Sequence, residues 1–466
     1  MHDRRTFIKR GAAGLALASS SFVFPMELLG KMRTKVGAND RLNIGVIGCN
    51  GMGFSDLTSI LKQSEVHVIA LCDVDQTVLE KRTRDLQEAG IKKPRWYTDY
   101  RKLLENKDVD AVIIATPDHW HCLQLMDAIS AGKDVYCEKP IANSIQEADL
   151  MLQGVAASDR MVQVGQWQRS QPHFADAISQ VHSGVLGEIR LVKAWAYQGW
   201  MKPVSVLPNS AVPNGVDYKM WLGPAPFREF NPNRFHFNFR WFWDYAGGLM
   251  TDWGVHLIDY ALYGMKATTP NSVMALGGKF AYPDDASETP DTLQAVYEFD
   301  GFSLLWEHAT GIDGGNYGRD HGIAFIGNQG TLVLDRNGWE VIPEREFQGW
   351  GKEGIPKMEA MRFDTGGFSG LDLHTKNFVE ATKSRDRTML AAPIEVGHTA
   401  ALVSHMGNIA YKTGQRVYWD TDRARFADDA ANLLMKANYS NGWELPTLFN
   451  DQYLAGALTM TSVKIA

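Results

Sequence analysis

The chain of 466 residues is long enough to form two domains with a large buried core. A hydrophobic fraction of 45% and a charged fraction of 22% are typical of a globular protein. The formal net charge of −7 argues against nucleic acid as the main partner.

The first 35 residues differ from the rest and are predicted to be a twin-arginine signal peptide with a linker. Residues 3–9 are basic, carry the pair Arg4-Arg5, and precede a weakly apolar stretch, residues 11–24, that is too short to span a membrane. A basic, unstructured N-terminus is the alternative. A twin-arginine signal directs export across the inner membrane in the folded state, so we expect a bacterial periplasmic protein.

Residues 42–73 have the pattern of a dinucleotide-binding unit. An apolar run is followed by glycines at positions 48, 51 and 53 and then by a helical pattern, so a pyrophosphate could approach the backbone at a helix N-terminus. A second apolar run ends at Asp73, which lies 25 residues after Gly48, near the roughly 20 at which an acid binds the adenosine ribose. Asp73 and Asp75 would repel a 2′-phosphate, which favours NAD over NADP. The glycine order G-x-x-G-x-G is unusual, and a simple tight loop is the alternative for the turn alone.

Helix and strand patterns alternate up to residue 166, which predicts a parallel sheet covered on both faces with its ligand at the carboxyl ends of the strands. We therefore assign residues 36–166 to a doubly wound, α/β Rossmann domain. Predicted strands after the first cover residues 66–72, 110–115, 134–138 and 161–165, and predicted helices cover residues 76–89, 100–105, 121–131 and 144–157.

All four cysteines lie in this first domain, and their spacing matches no zinc motif. We expect buried free thiols and no metal site, with disulfides as the alternative. The cysteines are Cys49, Cys72, Cys122 and Cys137.

From about residue 186, strand patterns follow one another, which predicts a second, α+β domain with a large open, mainly antiparallel sheet. We assign residues 167–440 to this domain and residues 441–466 to a C-terminal tail. One helix, residues 248–262, interrupts the strands, and two late helices, residues 371–384 and 394–413, are expected to pack back on the first domain. Predicted strands cover residues 189–197, 271–276, 292–299, 303–308, 322–326 and 330–334, with a hairpin turn at 327–330.

Two loops at strand ends carry side chains suited to redox chemistry. Thr116, Pro117 and His121 follow one strand, where they would lie beside the nicotinamide half of a cofactor, although His121 is as well placed to cap the next helix. Lys139 follows Glu138 at the end of another strand. Its charge would favour the alkoxide that develops when a hydride leaves carbon. An ordinary surface lysine is the alternative.

The lone helix of the second domain carries Asp252 and His256 four residues apart, so both are expected on one face. A carboxylate within reach of an imidazole fixes its tautomer and raises its basicity, which suits a general base for an alcohol proton. Since a lysine is mostly charged at neutral pH, we assign His256 as the base and Lys139 as its electrostatic partner. A surface ion pair is the alternative for this helix.

Together these motifs resemble the glucose-fructose oxidoreductase / inositol dehydrogenase (Gfo/Idh/MocA) family across nearly the whole mature chain. The resemblance implies bound NAD(P), sugar or polyol substrates, homo-oligomers formed through the open sheet, and Lys139, Asp252 and His256 as catalytic residues. The residues expected to bind the cofactor are Gly48, Asn50, Gly51, Met52, Gly53, Asp73, Thr116, Pro117, His121, Glu138, Lys139 and Gln166.

Aromatic and charged residues near these motifs favour a carbohydrate, because aromatic faces pack on sugar C–H groups while charged groups bind hydroxyls. The expected substrate-binding residues are Trp167, Arg169, Arg240, Trp241, Trp243 and His256, with Trp200, Tyr317, Arg319 and His321 as further candidates.

The leading hypothesis is a periplasmic oxidoreductase that transfers hydride between a sugar or glycoside hydroxyl and tightly bound NAD, which a second sugar recycles. Exported members of the family suggest oxidation at C3, giving a 3-keto-glycoside. One alternative is an NAD-dependent glycosidase that acts by transient oxidation and elimination. The other is an exported sugar-binding protein without catalysis.

Overall fold

The computed structural model of the chain describes residue 37, residues 41–365 and residues 367–447. The predicted signal peptide and most of the predicted C-terminal tail lie outside these residues. In the part of the chain that the structure describes, no helix has both the length and the apolar character that a membrane span requires.

The first sheet has six parallel strands in the order β3-β2-β1-β4-β5-β6, which confirms the predicted Rossmann domain. Side chains alternate across it, so Ile44 and Val46 pack into one core while Ile47 packs into the other. The strands are β1 Leu42–Ile47, β2 Val66–Cys72, β3 Arg95–Tyr97, β4 Ala111–Ile114, β5 Asp134–Cys137 and β6 Val162–Val164, and the helices are α1 Gly51–Ile60, α2 Gln76–Glu88, α3 Tyr100–Leu104, α4 His121–Ser130 and α5 Ile145–Ala156.

The second sheet has ten strands in the order β16-β13-β12-β11-β7-β10-β9-β8-β17-β18, and only the β7–β10 pair is parallel. It confirms the predicted large, mainly antiparallel sheet. Its strands are β7 Ile189–Gln198, β8 Ser272–Gly278, β9 Thr292–Phe299, β10 Phe302–Thr310, β11 His321–Gly327, β12 Gly330–Asp335, β13 Gly338–Pro343, β16 Met361–Asp364, β17 Val417–Asp420 and β18 Arg425–Phe426, and a separate ribbon pairs β14 Arg345–Glu346 with β15 Ile355–Pro356.

Helices cover the inner face of this sheet and form the largest core of the described chain. One of these helices, α6 (Pro172–His182), is absent from the sequence prediction. It has a buried apolar stripe at helical spacing, formed by Phe174, Ala177, Ile178 and Val181. The helices of this part are α6 Pro172–His182, α7 Tyr218–Leu222, α8 Leu249–Asp252, α9 Gly254–Met265, α10 Gly370–Ser384, α11 Ile394–Thr413 and α12 Asp429–Leu434.

The two late helices contact the first domain. The Asp372 carboxylate on α10 accepts hydrogen bonds from Ser59 Oγ at 2.7 Å and Lys62 Nζ at 2.6 Å, while Phe378 is buried in the core beside α1. The start of the predicted tail also packs on the first domain, since the Trp443 ring lies edge-on to Trp120, just before α4, with centroids 4.9 Å apart. These contacts hold the two domains in one fixed arrangement around the cleft between them.

The single helix predicted for residues 248–262 is broken in two at Trp253, between α8 and α9. The His256 N–H donates to the Trp253 carbonyl oxygen at 3.1 Å, a tight turn rather than a continued α-helix. The break separates the directions in which the side chains of Asp252 and His256 point.

Candidate active site

A cavity of about 590 Å³ lies where the carboxyl ends of the first sheet meet the second domain. Both domains line it, and it contains most of the site residues predicted from the sequence. Those that line it are Gly48, Asn50, Gly51, Met52, Asp73, Thr116, Pro117, Glu138, Lys139, Trp167, Trp200, Arg240, Trp241, Asp252 and His256.

The glycine turn shapes one end of this cavity. Gly48 has a φ of +85°, and a Cβ there would lie 2.6 Å from the Ala115 carbonyl oxygen. A Cβ at Gly53 would lie 2.0 Å from the Gly48 carbonyl oxygen, so this glycine lets α1 pack against the turn rather than lining the cavity. Around Gly51 no atom lies within 4 Å of such a Cβ, and no side chain caps the first turn of α1. The open helix N-terminus therefore fits a pyrophosphate.

Asp73 lies at the end of β2, and its carboxylate is held by the backbone. Its oxygens accept hydrogen bonds from the N–H groups of Cys49 at 2.8 Å and Asp75 at 3.0 Å. Each carboxylate oxygen keeps a lone pair that can accept from a ribose hydroxyl. The turn, the helix end and this acid together fit the pyrophosphate and adenosine ribose of NAD.

A segment without helix or extended strand, residues 199–217, crosses this end of the cavity, and we call it the strap. The Gly215 carbonyl oxygen accepts from the Gln76 N–H at 2.9 Å, and the Asp217 N–H donates to the Val74 carbonyl oxygen at 2.8 Å. Trp200 and Met201 of the strap line the cavity. The second domain therefore covers the chain directly after Asp73.

At the other end, Lys139 and Asp252 form an ion pair between the two domains. Lys139 Nζ donates to Asp252 Oδ1 at 2.9 Å and to the Asp252 carbonyl oxygen at 2.7 Å, and Arg240 Nε donates to the same Oδ1 at 3.3 Å. Burial alone would raise the pKa of Asp252, but Lys139 and Arg240 outweigh burial and hold that pKa at about 2. Asp252 is therefore a carboxylate at all physiological pH values.

His256 lines the same cavity as Lys139, but among the described residues no hydrogen bond or ion pair joins it to Asp252. Its Nδ1 is buried without a hydrogen-bond partner among the described residues, and its ring lies edge-on to Trp167 with centroids 6.1 Å apart. This corrects the expected Asp252–His256 pair, because the break at Trp253 turns Asp252 toward Lys139. Burial and then the charges of Lys139 and Arg336 hold the pKa of His256 well below its ordinary 6.5, so the imidazole is neutral at pH 7.

Two buried acids lie beside these groups. Burial raises the pKa of Glu138 to about 7, with Lys139 acting in the opposite direction. Burial also raises the pKa of Asp118, a cavity-lining residue that was not among the predicted site residues. Near neutral pH, these two groups carry less negative charge than ordinary carboxylates.

Four other predicted residues lie outside the cavity lining and have structural partners. His121 has its two ring nitrogens 2.7 Å and 2.8 Å from the carbonyl oxygens of Pro140 and Thr116, so it joins the loops that carry Lys139 and Thr116. The others are Gln166, which donates to the Val255 carbonyl oxygen; Arg169, which forms a bidentate ion pair with Asp259; and Trp243, which donates to the Glu288 carbonyl oxygen and contacts Lys412.

Of the further candidates for substrate binding, one lines the cavity and three have structural partners. Trp200 lines the cavity, whereas Tyr317 packs on Trp195, Arg319 pairs with Glu340, and His321 packs on Trp253. Sequence reasoning missed Trp253 and Arg336, both of which line the cavity. The sequence signal for Arg336 is weak, because the residue simply follows the predicted strand 330–334.

Comparisons with known proteins place both domains of the chain in one family. One family model, an oxidoreductase family with an NAD-binding Rossmann fold, matches residues 42–166, and the model of the same family's C-terminal α/β domain matches residues 174–332. Together they cover more than half of the chain. The chain belongs to the Gfo/Idh/MocA oxidoreductase family.

Curated relatives match part of this Gfo/Idh/MocA chain. Inositol 2-dehydrogenase 4 of Saccharopolyspora erythraea is 32% identical over 199 residues, which is 42% of this chain and 54% of that protein. Glycosyl hydrolase family 109 protein 1 of Shewanella sp. (strain ANA-3) is 28% identical over 206 residues, 41% of this chain and 45% of that protein. The matches thus span about half of the length of these relatives.

Among solved structures, a levoglucosan dehydrogenase in complex with NADH and levoglucosan has a TM-score of 0.61 and 18% sequence identity to this Gfo/Idh/MocA chain. The similarity covers 81% of this chain and 99% of that structure. At this identity, the comparison shows a common fold for both domains.

Proposed function

We propose that this protein is a periplasmic NAD-dependent oxidoreductase that transfers hydride between a hydroxyl of a sugar or glycoside and bound NAD. One observation carries the proposal: the glycine turn with Asp73 and the group of Lys139, Asp252 and His256 line a single cavity. A dinucleotide on the turn and a sugar beside His256 would therefore share one enclosed space.

The chain's own residues supply the proton chemistry. Bound NAD supplies the hydride acceptor. His256, neutral at pH 7, accepts the proton of the substrate hydroxyl. The Lys139 ammonium, held in place by Asp252, stabilises the negative charge that develops on the same oxygen. Arg240 keeps Asp252 charged and so maintains the position of Lys139.

Aromatic side chains support a carbohydrate substrate. Trp167, Trp200, Trp241 and Trp253 line the cavity together with charged groups that can bind hydroxyls. Within this proposal, oxidation at C3 of a glucoside, giving a 3-keto-glycoside, is the reaction to test first.

The strap supports retention of the cofactor between turnovers. It is hydrogen-bonded to the segment that follows Asp73, so it would hinder release of the adenosine half. Retained NAD would be recycled by a second sugar, which suits an enzyme exported by the twin-arginine route after it has folded around its nucleotide.

The proposal is tested by denaturing the purified protein and identifying the released nucleotide by mass spectrometry, while the native protein is screened with glycosides for keto products. We expect NAD and a keto-sugar. Protein without nucleotide and without redox activity on any sugar would favour the non-catalytic alternative. A signal-peptide variant, Arg4→Lys with Arg5→Lys, should remain in the cytoplasm if the twin-arginine route is used.

An NAD-dependent glycosidase is the second candidate. Of the two curated relatives described above, one is named a dehydrogenase and the other a glycosyl hydrolase. Such an enzyme would release a reducing sugar from a glycoside without net redox change. Product analysis of the same reactions separates the two, since a keto-sugar identifies the dehydrogenase.

We also propose that the protein is a homo-oligomer formed through the outer face of the ten-stranded sheet. Met274, Leu276 and Val296 lie on neighbouring strands of this face, and Leu276 is 78% exposed. A contiguous exposed apolar surface of this kind is typical of an interface.

A further inference from the structure

The turn between β12 and β13 places Arg336 in the wall of the candidate active-site cavity. Asp335 fixes this turn, because its Oδ1 accepts hydrogen bonds from the N–H groups of Asn337 at 2.7 Å and Gly338 at 3.1 Å. The backbone that carries Arg336 is therefore held in place by the fold itself.

Two indole rings hold the guanidinium group of Arg336. Its Cζ lies over the Trp167 ring at 4.5 Å from the centroid and over the Trp253 ring at 4.6 Å. Trp167 also contacts His256, so the cation is held next to the proposed base. The rings provide cation–π attraction, but they provide no oxygen to accept from the guanidinium N–H groups.

Arg336 has no counter-charge of its own. Among the described residues it forms neither an ion pair nor a hydrogen bond, and its Nε is buried without an acceptor. Asp252 and Asp320 act on the charge of Arg336 only from a distance. The other two cations of the cavity, Lys139 and Arg240, both pair with Asp252 and also lie near the buried acids Asp118 and Glu138. Burial lowers the pKa of Arg336 to about 10, so it stays charged at neutral pH. Among the lysines and arginines that line the described cavity, Arg336 is therefore the one without a paired acid, and a neutral sugar would leave its charge uncompensated.

We propose that Arg336 is a specificity-determining residue that binds an oxyanion on the substrate, so that the preferred substrate is an acidic sugar such as a hexuronic acid glycoside. The inference rests on the proposed function, since it uses the same cavity. A planar guanidinium donates two parallel hydrogen bonds to a carboxylate, and the flanking indole rings can pack on the sugar C–H groups.

The test uses methyl glucuronide and methyl glucoside, which differ only at C6. We expect the wild-type protein to have a kcat/KM at least about 10-fold higher for the glucuronide, since hydrogen bonds to charged groups are strong. Arg336→Gln should lower the ratio of kcat/KM for the glucuronide to kcat/KM for the glucoside about 10- to 100-fold, mainly through a higher KM for the glucuronide. Arg336→Lys keeps the charge but not the bidentate geometry, so its preference for the glucuronide should lie between those of the wild type and Arg336→Gln.

Arg362→Gln is the matched control, because Arg362 is an exposed arginine on β16 that pairs with Asp364. It should leave the ratio between the two sugars unchanged. All variants should release as much NAD on denaturation as the wild-type protein and unfold at a similar temperature, which shows that they are folded and loaded. A 6-sulfated glucoside in the same series decides whether a carboxylate or a sulfate ester is the better oxyanion.

A wild-type protein that prefers the glucoside, or an Arg336→Gln variant that loses the same factor for both sugars, would overturn the proposal. Binding of glucuronate, followed by the intrinsic tryptophan fluorescence of the protein, provides a readout without turnover. If glucuronate quenches this fluorescence in the wild type but not in Arg336→Gln, and neither sugar is oxidised, the proposed redox function is wrong while the oxyanion subsite is supported.

Discussion

Lys139 acts on two different groups of the candidate active site. Its ammonium donates to the side chain and to the backbone of Asp252, and its charge is one of the causes that lower the pKa of His256. Lys139 therefore acts with Arg240 to keep Asp252 charged, and it adds to burial in keeping His256 neutral.

Replacing Lys139 by Met should separate these effects. Without the ammonium, the pKa of His256 rises toward its ordinary 6.5, so the base becomes protonated at higher pH than in the wild type. We expect the acidic limb of the pH profile of kcat/KM to move upward and kcat to fall about 100-fold. Lys102→Met, on the exposed surface of α3, is the control. An acidic limb at the wild-type pH would contradict the assigned coupling.

Replacing His256 by Ala should remove the base while keeping the cofactor site. We expect kcat to fall about 100- to 10,000-fold, because proton transfer would rely on water, and the amount of NAD released on denaturation to stay unchanged. His182→Ala, at the exposed end of α6, serves as the comparison. Turnover within a few-fold of wild type would show that another group takes the proton.

At the scale of helices and strands, the first domain could be predicted because its strands are continuous apolar runs between helical repeats. Two features could not be predicted, the strand β3 and the break between α8 and α9. The three residues of β3 carry too little pattern, and the break at Trp253 depends on packing and on Lys139, a residue of the other domain that attracts Asp252. The sequence therefore indicated most of the residues that line the cavity but not which of them contact one another.

Arg336 shows the same limit for the site. Nothing adjacent in the sequence relates it to the nucleotide turn, and it reaches the cavity only because β12 and β13 pair beside Trp167 and Trp253. Conversely, Arg169 was predicted to bind the substrate, but its charge is neutralised by Asp259. Long-range pairing decides which charged side chains remain free for a ligand.

The strap gives a prediction at this scale. Gly215 has a φ of +82° and accepts a hydrogen bond from Gln76, so Gly215→Val should strain the strap and weaken its attachment. We expect NAD to dissociate about 10-fold faster, measured by exchange with labelled NAD. Gly184→Val is the control, since Gly184 has a φ of +78° but lies in the turn after α6. Equal exchange rates in the two variants would show that the strap does not retain the cofactor.

For the whole molecule, α10 joins the second half of the chain to the first domain. Phe378 is completely buried there and its ring lies edge-on to Tyr136, with centroids 5.8 Å apart. We expect Phe378→Ala to cost about 3–5 kcal/mol of unfolding free energy and to lower the temperature of a single transition in calorimetry. Lys62→Ala, which removes a partly exposed ion pair with Asp372, should cost no more than about 1 kcal/mol. Two separate transitions would show that the domains unfold independently.

The proposed oligomer is tested on the open sheet. Leu276→Glu places a charge in the apolar outer face and should convert the oligomer to monomers, measured by light scattering. Leu433→Glu on α12 is the control, because Leu433 is 65% exposed but lies away from that face. A wild-type protein that is already monomeric would rule out the interface.

The Lys139–Asp252 pair has a consequence for how turnover depends on motion. Its ammonium belongs to the Rossmann sheet and its carboxylate to the neighbouring domain, so a small rigid-body rotation between the two bodies would pull the charges apart. The reaction rate is then a measure of interdomain alignment. A substitution that weakens the contacts between α10 and α1 should therefore lower the rate, even though it alters none of the groups that handle the proton.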